Sequence, residues 1–187
     1  MHLIIGGARS GKSSTAARLA GRSSSVVFIA TGLPVDEEMT RRIETHQSLR
    51  PPHWETREEP VNLDQVLEQI SRESFDGAVL IDCLGFWVSN LLERNEKMDF
   101  HDLQELIMRK AENALTQIRK SSFNAIVVSN IVGMGLVPDN HLGRQFRDLL
   151  GLINQRFGED AEEVTLMIAG LPLPIKQKGE LFFGQLD

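Results

Sequence analysis

The chain has one cysteine, Cys83, among its 187 residues, so an internal disulfide bond is excluded. Domains that depend on disulfides carry several cysteines and fold in oxidising compartments. A single thiol in a chain of this length is typical of a protein kept in a reducing compartment. Cys83 follows an apolar run, and we interpret it as a small buried hydrophobic residue rather than a nucleophile.

An excess of basic residues is also lacking. Lysine and arginine number 20 against 26 aspartates and glutamates, which gives a formal net charge of −6 at pH 7. Because general nucleic-acid binding needs a basic surface, this balance argues against such a partner. Local basic groups at a site for a small anion remain compatible with it.

Long apolar runs are absent too, and no N-terminal signal sequence is visible. We therefore expect a soluble, cytoplasmic protein without a membrane span. With 41% hydrophobic and 25% charged residues, the chain can bury a core. We expect a single domain over residues 1–187, in which residues 179–187 form an extra strand or a loose tail.

What the sequence does contain is a series of short apolar runs with helical patterns between most of them. This alternation predicts an α/β fold with a mostly parallel central sheet and helices on both faces. Apolar residues at helical spacing predict one helix over residues 100–120 and another around residues 142–157. The predicted strands are residues 3–6, 26–30, 78–83, 125–130 and 164–170.

The first of these runs leads into GGARSGKS, which fits the phosphate-binding loop pattern G-x-x-x-x-G-K-[ST]. The loop amides and the N-terminus of the following helix suit a bound phosphate. Lys12 should reach the β- and γ-phosphates, and the Ser13 hydroxyl should bind Mg²⁺. A glycine-rich turn that binds nothing is the alternative, which the strand and helix context disfavours. The nucleotide-binding residues of the loop are then Gly6, Gly7, Ala8, Arg9, Ser10, Gly11, Lys12 and Ser13.

Asp82 ends the apolar run AVLID, so we expect it at the carboxyl edge of the sheet beside the phosphate-binding loop. A carboxylate there can hold Mg²⁺ directly or through water. The alternative is a solvated aspartate at the end of a strand. Given the loop, we favour the metal role.

A third segment follows the second predicted strand. Asp36 is suited to cap a helix that runs to about Gln47, since prolines follow soon afterwards. His46 lies one turn after Arg42, whose charge disfavours protonation of the imidazole. From the residues alone, His46 is either a general base or nucleophile, or a solvated histidine on a polar helix face.

The predicted helix near the C-terminus carries a polar face opposite its apolar stripe. That face bears Asn140, Arg144, Arg147 and Asn154, and Arg144 can pair with Asp148 at a spacing of four residues. We interpret the face as solvated, with an anion or subunit contact as the alternative.

Several segments together resemble one family, the bifunctional adenosylcobinamide kinase / adenosylcobinamide-phosphate guanylyltransferases of cobalamin biosynthesis. They are GGARSGKS, IATG with DEEMTRRIETHQSLRPPHWETREEP, DCLGFWVSNLL, VGMGLVPDNHLGRQFRDLLGLINQRF and GLPLPIK, in this order. The resemblance extends from Leu3 to about Lys176. The phosphate-binding loop is shared by many enzymes, whereas Arg-Ile-x-x-His with the following Arg-Pro and Trp is far more specific.

The resemblance implies a P-loop NTPase fold of the RecA-like kind and a homotrimer with active sites near subunit boundaries. It also implies two reactions. First, ATP or GTP phosphorylates the aminopropanol hydroxyl of adenosylcobinamide. Second, GTP transfers GMP to an enzyme histidine with release of pyrophosphate, and the GMP passes to adenosylcobinamide phosphate to give adenosylcobinamide-GDP.

The resemblance also assigns residues. His46 falls at the guanylylated histidine of the family, and it joins Lys12 as a catalytic residue. Ser13 and Asp82 are the expected ligands of Mg²⁺. By their positions in the family motifs, the expected nucleotide contacts outside the loop are Thr31, Gly32, Gln47, Ser48, Leu49, Arg50, Glu59 and Asp82.

The sequence departs from the family pattern at two positions. Ile131 stands where many relatives have glutamate, and Gly85 stands where relatives commonly have threonine. Isoleucine cannot bind a metal or accept a proton, so the kinase activity is the one placed in doubt. Two other interpretations stay open on the residues alone: a P-loop small-molecule kinase in which His46 is only structural, and a nucleotide-dependent switch that controls a partner.

Overall fold

A computed structural model describes residues 1–34, 36–48 and 50–181, except for the side chains of Arg42 and His46. The strands are β1 (His2–Gly6), β2 (Val26–Ala30), β3 (Glu55–Glu58), β4 (Ala78–Asp82), β5 (Asn124–Asn130), β6 (Glu163–Ile168), β7 (Leu171–Gln177) and β8 (Glu180–Leu181). The helices are α1 (Lys12–Ala20), α2 (Glu37–Ser48), α3 (Leu63–Arg72), α4 (Leu84–Arg94), α5 (Phe100–Lys120) and α6 (His141–Asp160).

The described strands form one sheet in the order β3-β2-β4-β5-β1-β6-β7-β8. All neighbours from β3 to β6 are parallel, whereas β7 and β8 are added antiparallel at one edge. The predicted mostly parallel sheet is therefore confirmed, and each of the five predicted strands forms. The polar ETRE of β3 and the proline-interrupted LPLPIKQ of β7 gave no strand signal and were not predicted.

One predicted strand was too long. The run expected to continue to Gly170 ends at Ile168, because Ala169 and Gly170 have positive φ angles of 52° and 81° and turn the chain into β7. The predicted C-terminal strand is in part β8, and residues 182–187 lie outside the described chain.

Neighbouring side chains of the central strands pack on opposite faces of the sheet. Leu3 and Val79 join a core with apolar residues of α3, α4, α5 and α6. Ile4 and Leu80 join a second core with Ala16 of α1. Both faces are thus covered by helices, as predicted, and this is why the central strands are continuous apolar runs. None of the described helices has the length and apolar character needed to cross a membrane.

The polar face of α6 differs from the prediction. Asn140 caps the helix, accepting the N–H of residue 143 through Oδ1 at 2.6 Å. Arg144 donates to the main-chain oxygens of residues 138 and 139 instead of pairing with Asp148, which pairs with Arg147 at 2.8 Å. Asn154 is not solvated but hydrogen-bonds to the carboxyl end of β5, because the helix lies against that strand end.

Candidate active site

The loop between β1 and α1 has the main-chain shape of an anion cradle. Gly11 has a φ of 90°, which strains any other residue, and it precedes the first turn of α1. A Cβ on Gly6 would lie 2.6 Å from Oγ of Ser10 and 2.7 Å from the main-chain oxygen of Met167. Because Gly11 has no side chain to cap α1, the N–H groups of the first turn are left for an anion.

Lys12 is the first residue of α1 and is almost fully buried in the loop. Its Nζ donates to the main-chain oxygen of Gly7 at 2.8 Å, so the loop closes around the ammonium group. Burial lowers the pKa of Lys12, and the nearby Asp82 carboxylate opposes that shift. Oγ of Ser10 is buried beside it without a hydrogen-bond partner in the described chain.

A cleft of about 910 Å³ lies at the carboxyl edge of the sheet and brings most of the predicted residues together. The predicted residues on its walls are Ala8, Arg9, Ser10, Gly11, Lys12, Ser13, Gly32, Gln47, Arg50 and Asp82. The predicted residues away from its walls are Gly6, Gly7, Thr31, Ser48 and Glu59. Leu49 lies outside the described residues.

Thr31 and Glu59 hold the main chain next to the cleft. The Thr31 hydroxyl is fully buried, donates to the main-chain oxygen of Cys83 at 2.7 Å and accepts its N–H at 2.8 Å. Oε1 of Glu59 accepts the N–H groups of Val61 and Asn62 at 2.9 and 2.7 Å. These contacts fix the end of β4 and the start of α3.

Cys83 is buried, as predicted from its apolar surroundings. Burial raises the pKa of its thiol to about 12, so the thiolate is not formed at neutral pH. The cysteine therefore serves as a small apolar residue, because the thiol form is a weak nucleophile.

Arg50 lies flat on the wall of the cleft. Its Cζ is 3.7 Å from the ring centroid of Phe28, a stacking distance for a cation on an aromatic face. Burial lowers the pKa of Arg50, while Asp82 and Glu58 oppose that shift. Nε of Arg50 is buried without a hydrogen-bond partner in the described chain, so this guanidinium is placed to donate to an oxygen of a bound molecule.

The helix α2 forms the other wall of the cleft. It begins as predicted, with Oδ1 of Asp36 accepting the N–H of Met39 at 2.7 Å. Ile43 and Gln47 of this helix line the cleft. The side chain of His46 lies outside the described residues, so its predicted role stays a prediction.

Ser13 and Asp82 offer a hydroxyl and a carboxylate oxygen to the same cleft, and Mg²⁺ prefers oxygen ligands. Among the described residues, no group of three or more His, Cys, Asp and Glu side chains could hold a metal by itself. This donor set fits Mg²⁺, which takes one or two protein oxygens and fills its shell with water and substrate phosphates.

The sequence did not single out every residue of the cleft. Phe28 and Phe86 form an aromatic part of the wall, and nothing in the sequence distinguishes them from core residues. Asn130 ends β5 and also lines the cleft. Like Asp82, Asn130 is a polar residue at the end of an apolar strand, which is a sequence signal for a residue at this edge of the sheet.

Known proteins resemble this chain over nearly its whole length. The family model described as cobinamide kinase / cobinamide phosphate guanyltransferase matches residues 2–175. The bifunctional adenosylcobalamin biosynthesis protein CobU of Escherichia coli is 36% identical over 182 residues, which cover 94% of this chain and 99% of that protein. The protein CobP of Pseudomonas aeruginosa, named in the same way, is 40% identical over 175 residues, which cover 93% and 96%.

A likeness to a solved structure concerns the fold alone. An ATPase from the type III secretion system of pathogenic bacteria matches with a TM-score of 0.58 at 11% identity, over 88% of this chain and 50% of that one. This chain thus spans half the length of that ATPase. The predicted P-loop NTPase fold is confirmed. With the family match and the relatives above, we conclude that the chain belongs to the cobinamide kinase / cobinamide phosphate guanyltransferase family.

Proposed function

We propose that this chain phosphorylates the aminopropanol hydroxyl of adenosylcobinamide with ATP or GTP, and then transfers GMP from GTP to the product through a guanylylated His46. The family is described as cobinamide kinase / cobinamide phosphate guanyltransferase, and the relatives are named bifunctional adenosylcobalamin biosynthesis proteins. The observation that carries the proposal is that the phosphate-binding loop and α2, the helix of His46, wall one cleft. We therefore propose that one triphosphate bound in this cleft can react with both acceptors, the hydroxyl group of adenosylcobinamide and the imidazole of His46.

In the kinase reaction, the substrate hydroxyl attacks the γ-phosphorus and negative charge grows on the leaving diphosphate. The loop amides and Lys12 are donors fixed around that charge before the reaction begins, which is the arrangement that stabilises a transition state. Ser13 and Asp82 would hold Mg²⁺, which would supply positive charge to neutralise the phosphates.

In the guanylyl transfer, the imidazole of His46 attacks the α-phosphorus and pyrophosphate leaves. A covalent intermediate divides one difficult transfer into two easier ones. The position of Arg50 on the cleft wall and its unpartnered Nε support its proposed contact with the nucleotide. We retain the remaining predicted nucleotide contacts as part of the proposal: Thr31, Gly32, Gln47, Ser48, Leu49, Glu59 and Asp82.

Mass spectrometry of the intact protein after incubation with GTP and Mg²⁺ tests the covalent step. We expect a gain of one GMP in the native protein and none in His46→Ala. His53→Ala is the matched control, because His53 is an exposed histidine away from the walls of the cleft, and it should be modified like the native protein. Adding adenosylcobinamide phosphate should remove the GMP.

The absence of a GMP adduct while GTP still binds would contradict the covalent mechanism. If adenosylcobinamide were nevertheless phosphorylated, the chain would be a P-loop kinase in which His46 is structural. Phosphorylation is measured as adenosylcobinamide phosphate formed with ATP and, separately, with GTP.

We also propose that residues 1–187 form one domain and that the protein is a cytoplasmic homotrimer. Met134, Leu136 and Val137 support the assembly, since their side chains are 86%, 96% and 62% exposed on one loop and a second copy would remove them from water. Sedimentation equilibrium should give three times the mass of the chain, and a monomer at micromolar concentration would contradict the proposal.

A further inference from the structure

Asn130 occupies a position in the cleft that the reactions described above do not use. It is the last residue of β5, the strand that lies between β4 and β1 in the sheet. In the register of the parallel pair it is level with Gly6, where the phosphate-binding loop begins. Its side chain lines the cleft together with Lys12 and Asp82.

The main chain at Asn130 is held firmly on two sides. Nδ2 of Asn154 donates to the main-chain oxygen of Asn130 at 2.9 Å, and Oδ1 of Asn154 accepts the hydroxyl of the fully buried Ser129 at 2.5 Å. On the other side, the N–H of Ile131 donates to the main-chain oxygen of Gly6 at 3.0 Å. The main chain that carries the Asn130 carboxamide is therefore fixed beside the phosphate-binding loop.

The carboxamide itself is held only weakly. Among the described residues, its one hydrogen bond runs from Nδ2 to Sγ of Cys83 at 3.9 Å, and a thiol sulfur is a weak acceptor. A half-buried amide with so poor a partner has hydrogen-bonding capacity left for a bound molecule.

The space for this carboxamide exists because residue 85 is glycine. A Cβ on Gly85, in the first turn of α4, would lie 2.7 Å from Nδ2 of Asn130. The next atoms, Cγ of Asn130 and Sγ of Cys83, are at an ordinary 3.6 Å. A methyl group added at Gly85 would therefore displace the Asn130 amide and little else.

We propose that Asn130 is a catalytic residue whose Nδ2 donates a hydrogen bond to the γ-phosphoryl group during its transfer. The amide is uncharged at any working pH, so it adds a donor to the Lys12 side of the cleft without repelling the phosphates. This proposal rests on the kinase half of the proposed function.

The step is balanced as follows. The acceptor hydroxyl oxygen forms a bond to the γ-phosphorus, and the bond from that phosphorus to the β–γ bridging oxygen breaks. The electron pair leaves with the nucleoside diphosphate, and the hydroxyl proton is lost to solvent. Asn130 exchanges no proton and acts through the hydrogen bond alone.

The test is a double-mutant cycle with Asn130→Ala, Gly85→Ala and both together, measured with adenosylcobinamide as acceptor and with water as acceptor. Removing one preorganised donor lowers kcat by about 10²-fold. We expect this loss in Asn130→Ala, with the KM for the nucleotide nearly unchanged, and a smaller loss in Gly85→Ala, because the added methyl group can displace the amide without removing it. The double variant should be no slower than Asn130→Ala alone, since Gly85→Ala acts only through the amide.

Asn124→Ala is the matched control, because it removes an exposed carboxamide at the other end of the same strand and should keep native kcat. Thermal unfolding shows whether each variant is folded. Native kcat in Asn130→Ala, or losses that multiply in the double variant, would overturn the proposal.

Failure of the proposed function gives a different result. If the native protein does not phosphorylate adenosylcobinamide but hydrolyses its nucleotide slowly, the proposed function is wrong and the cycle is decided on hydrolysis. If the native protein transfers the γ-phosphoryl group to neither acceptor, both proposals are wrong.

Discussion

The two walls of the cleft are built in different ways. On the loop side, β1 and α1 are packed into the core, with Ile4, Ala16 and Ala20 fully buried, and the anion-binding groups are mostly main chain. On the other side, α2 has no buried side chain among those the structure describes. Met39 and Ile43 are only partly covered, so this wall depends much less on burial of apolar area.

Because the two walls differ in this way, substitutions in the phosphate-binding loop and substitutions in α2 should have different effects. A fixed cradle of amides binds the triphosphate for either reaction, so damage to it should affect both. A lightly packed helix contributes chemistry through individual side chains, so damage to it should affect one reaction and leave the fold intact. The predictions below test this contrast.

The largest effect is expected for Lys12→Met, which keeps the length of the side chain and removes its charge. Both phosphoryl transfer and guanylylation should fall by about 10²–10³-fold, because in the proposed mechanism the same donor stabilises charge on either leaving group. Initial rates of adenosylcobinamide phosphate formation and of GMP adduct formation measure the two reactions. Lys120→Met, at an exposed lysine ending α5, is the control and should react like the native protein.

If Lys12→Met lost only one of the two reactions, the proposal that the phosphate-binding loop serves both reactions would be wrong. His46→Ala gives the complementary result, since it should abolish the adduct while phosphorylation of adenosylcobinamide continues. Together, the two variants show whether the loop wall acts in both reactions and the α2 wall in guanylylation alone.

A second, smaller effect compares two threonines that each donate to a main-chain oxygen. In Thr31→Val, the buried N–H and C=O groups of Cys83 lose their hydroxyl partner. The free energy of unfolding should fall by about 1–3 kcal/mol. Thr45 donates to Arg41 from the exposed surface of α2, and Thr45→Val should change stability by less than about 0.5 kcal/mol.

Urea unfolding monitored by circular dichroism measures both variants. Thr31→Ser keeps the hydroxyl and should recover most of the loss of Thr31→Val. Equal losses at positions 31 and 45 would contradict the view that α2 is packed less tightly than the buried chain at the end of β2.

The features that the sequence predicted well are those set by neighbouring residues. The phosphate-binding loop and the Asp36 cap of α2 each depend on a few consecutive residues, and the cap has its predicted hydrogen bond. The apolar runs of the central strands were equally informative, since burial on both faces favours apolar residues at successive positions.

Features that depend on distant residues could not be predicted. Thr31 is bound to Cys83, 52 residues away, and spacing gives no sign of it. Asn154 lies on the polar side of a helical stripe, yet it is drawn to Ser129 because that strand end has hydrogen-bonding groups to satisfy. Arg50 over Phe28 likewise needs the fold to bring them together.

The smallest effect is expected at the end of β1 remote from the loop. Nδ1 of His2 is 3.0 Å from Oε2 of Glu163, and Nε2 is 2.8 Å from Oγ1 of Thr165. Burial lowers the pKa of His2 below its ordinary 6.5; Glu163 opposes the shift, and the N-terminal ammonium group adds to it. Below pH 6.5 the unfolded chain therefore binds more protons at this position than the folded chain.

Because the folded pKa is lowered, His2 contributes stability above pH 6.5, and this contribution is lost as the pH falls through 6.5 towards the folded pKa. The urea midpoint of the native protein should thus drop between about pH 7.5 and about pH 5.5, and His2→Gln should show a smaller drop. His101→Gln, at an exposed histidine, is the control and should keep the native drop. If the urea midpoint of His2→Gln dropped as much as that of the native protein, the proton would be taken up at another residue.

Since His2 lies outside the cleft walls, none of these conditions should alter the GMP adduct formed by folded protein. The stability of β1 at this end is thus separate from the chemistry at its other end.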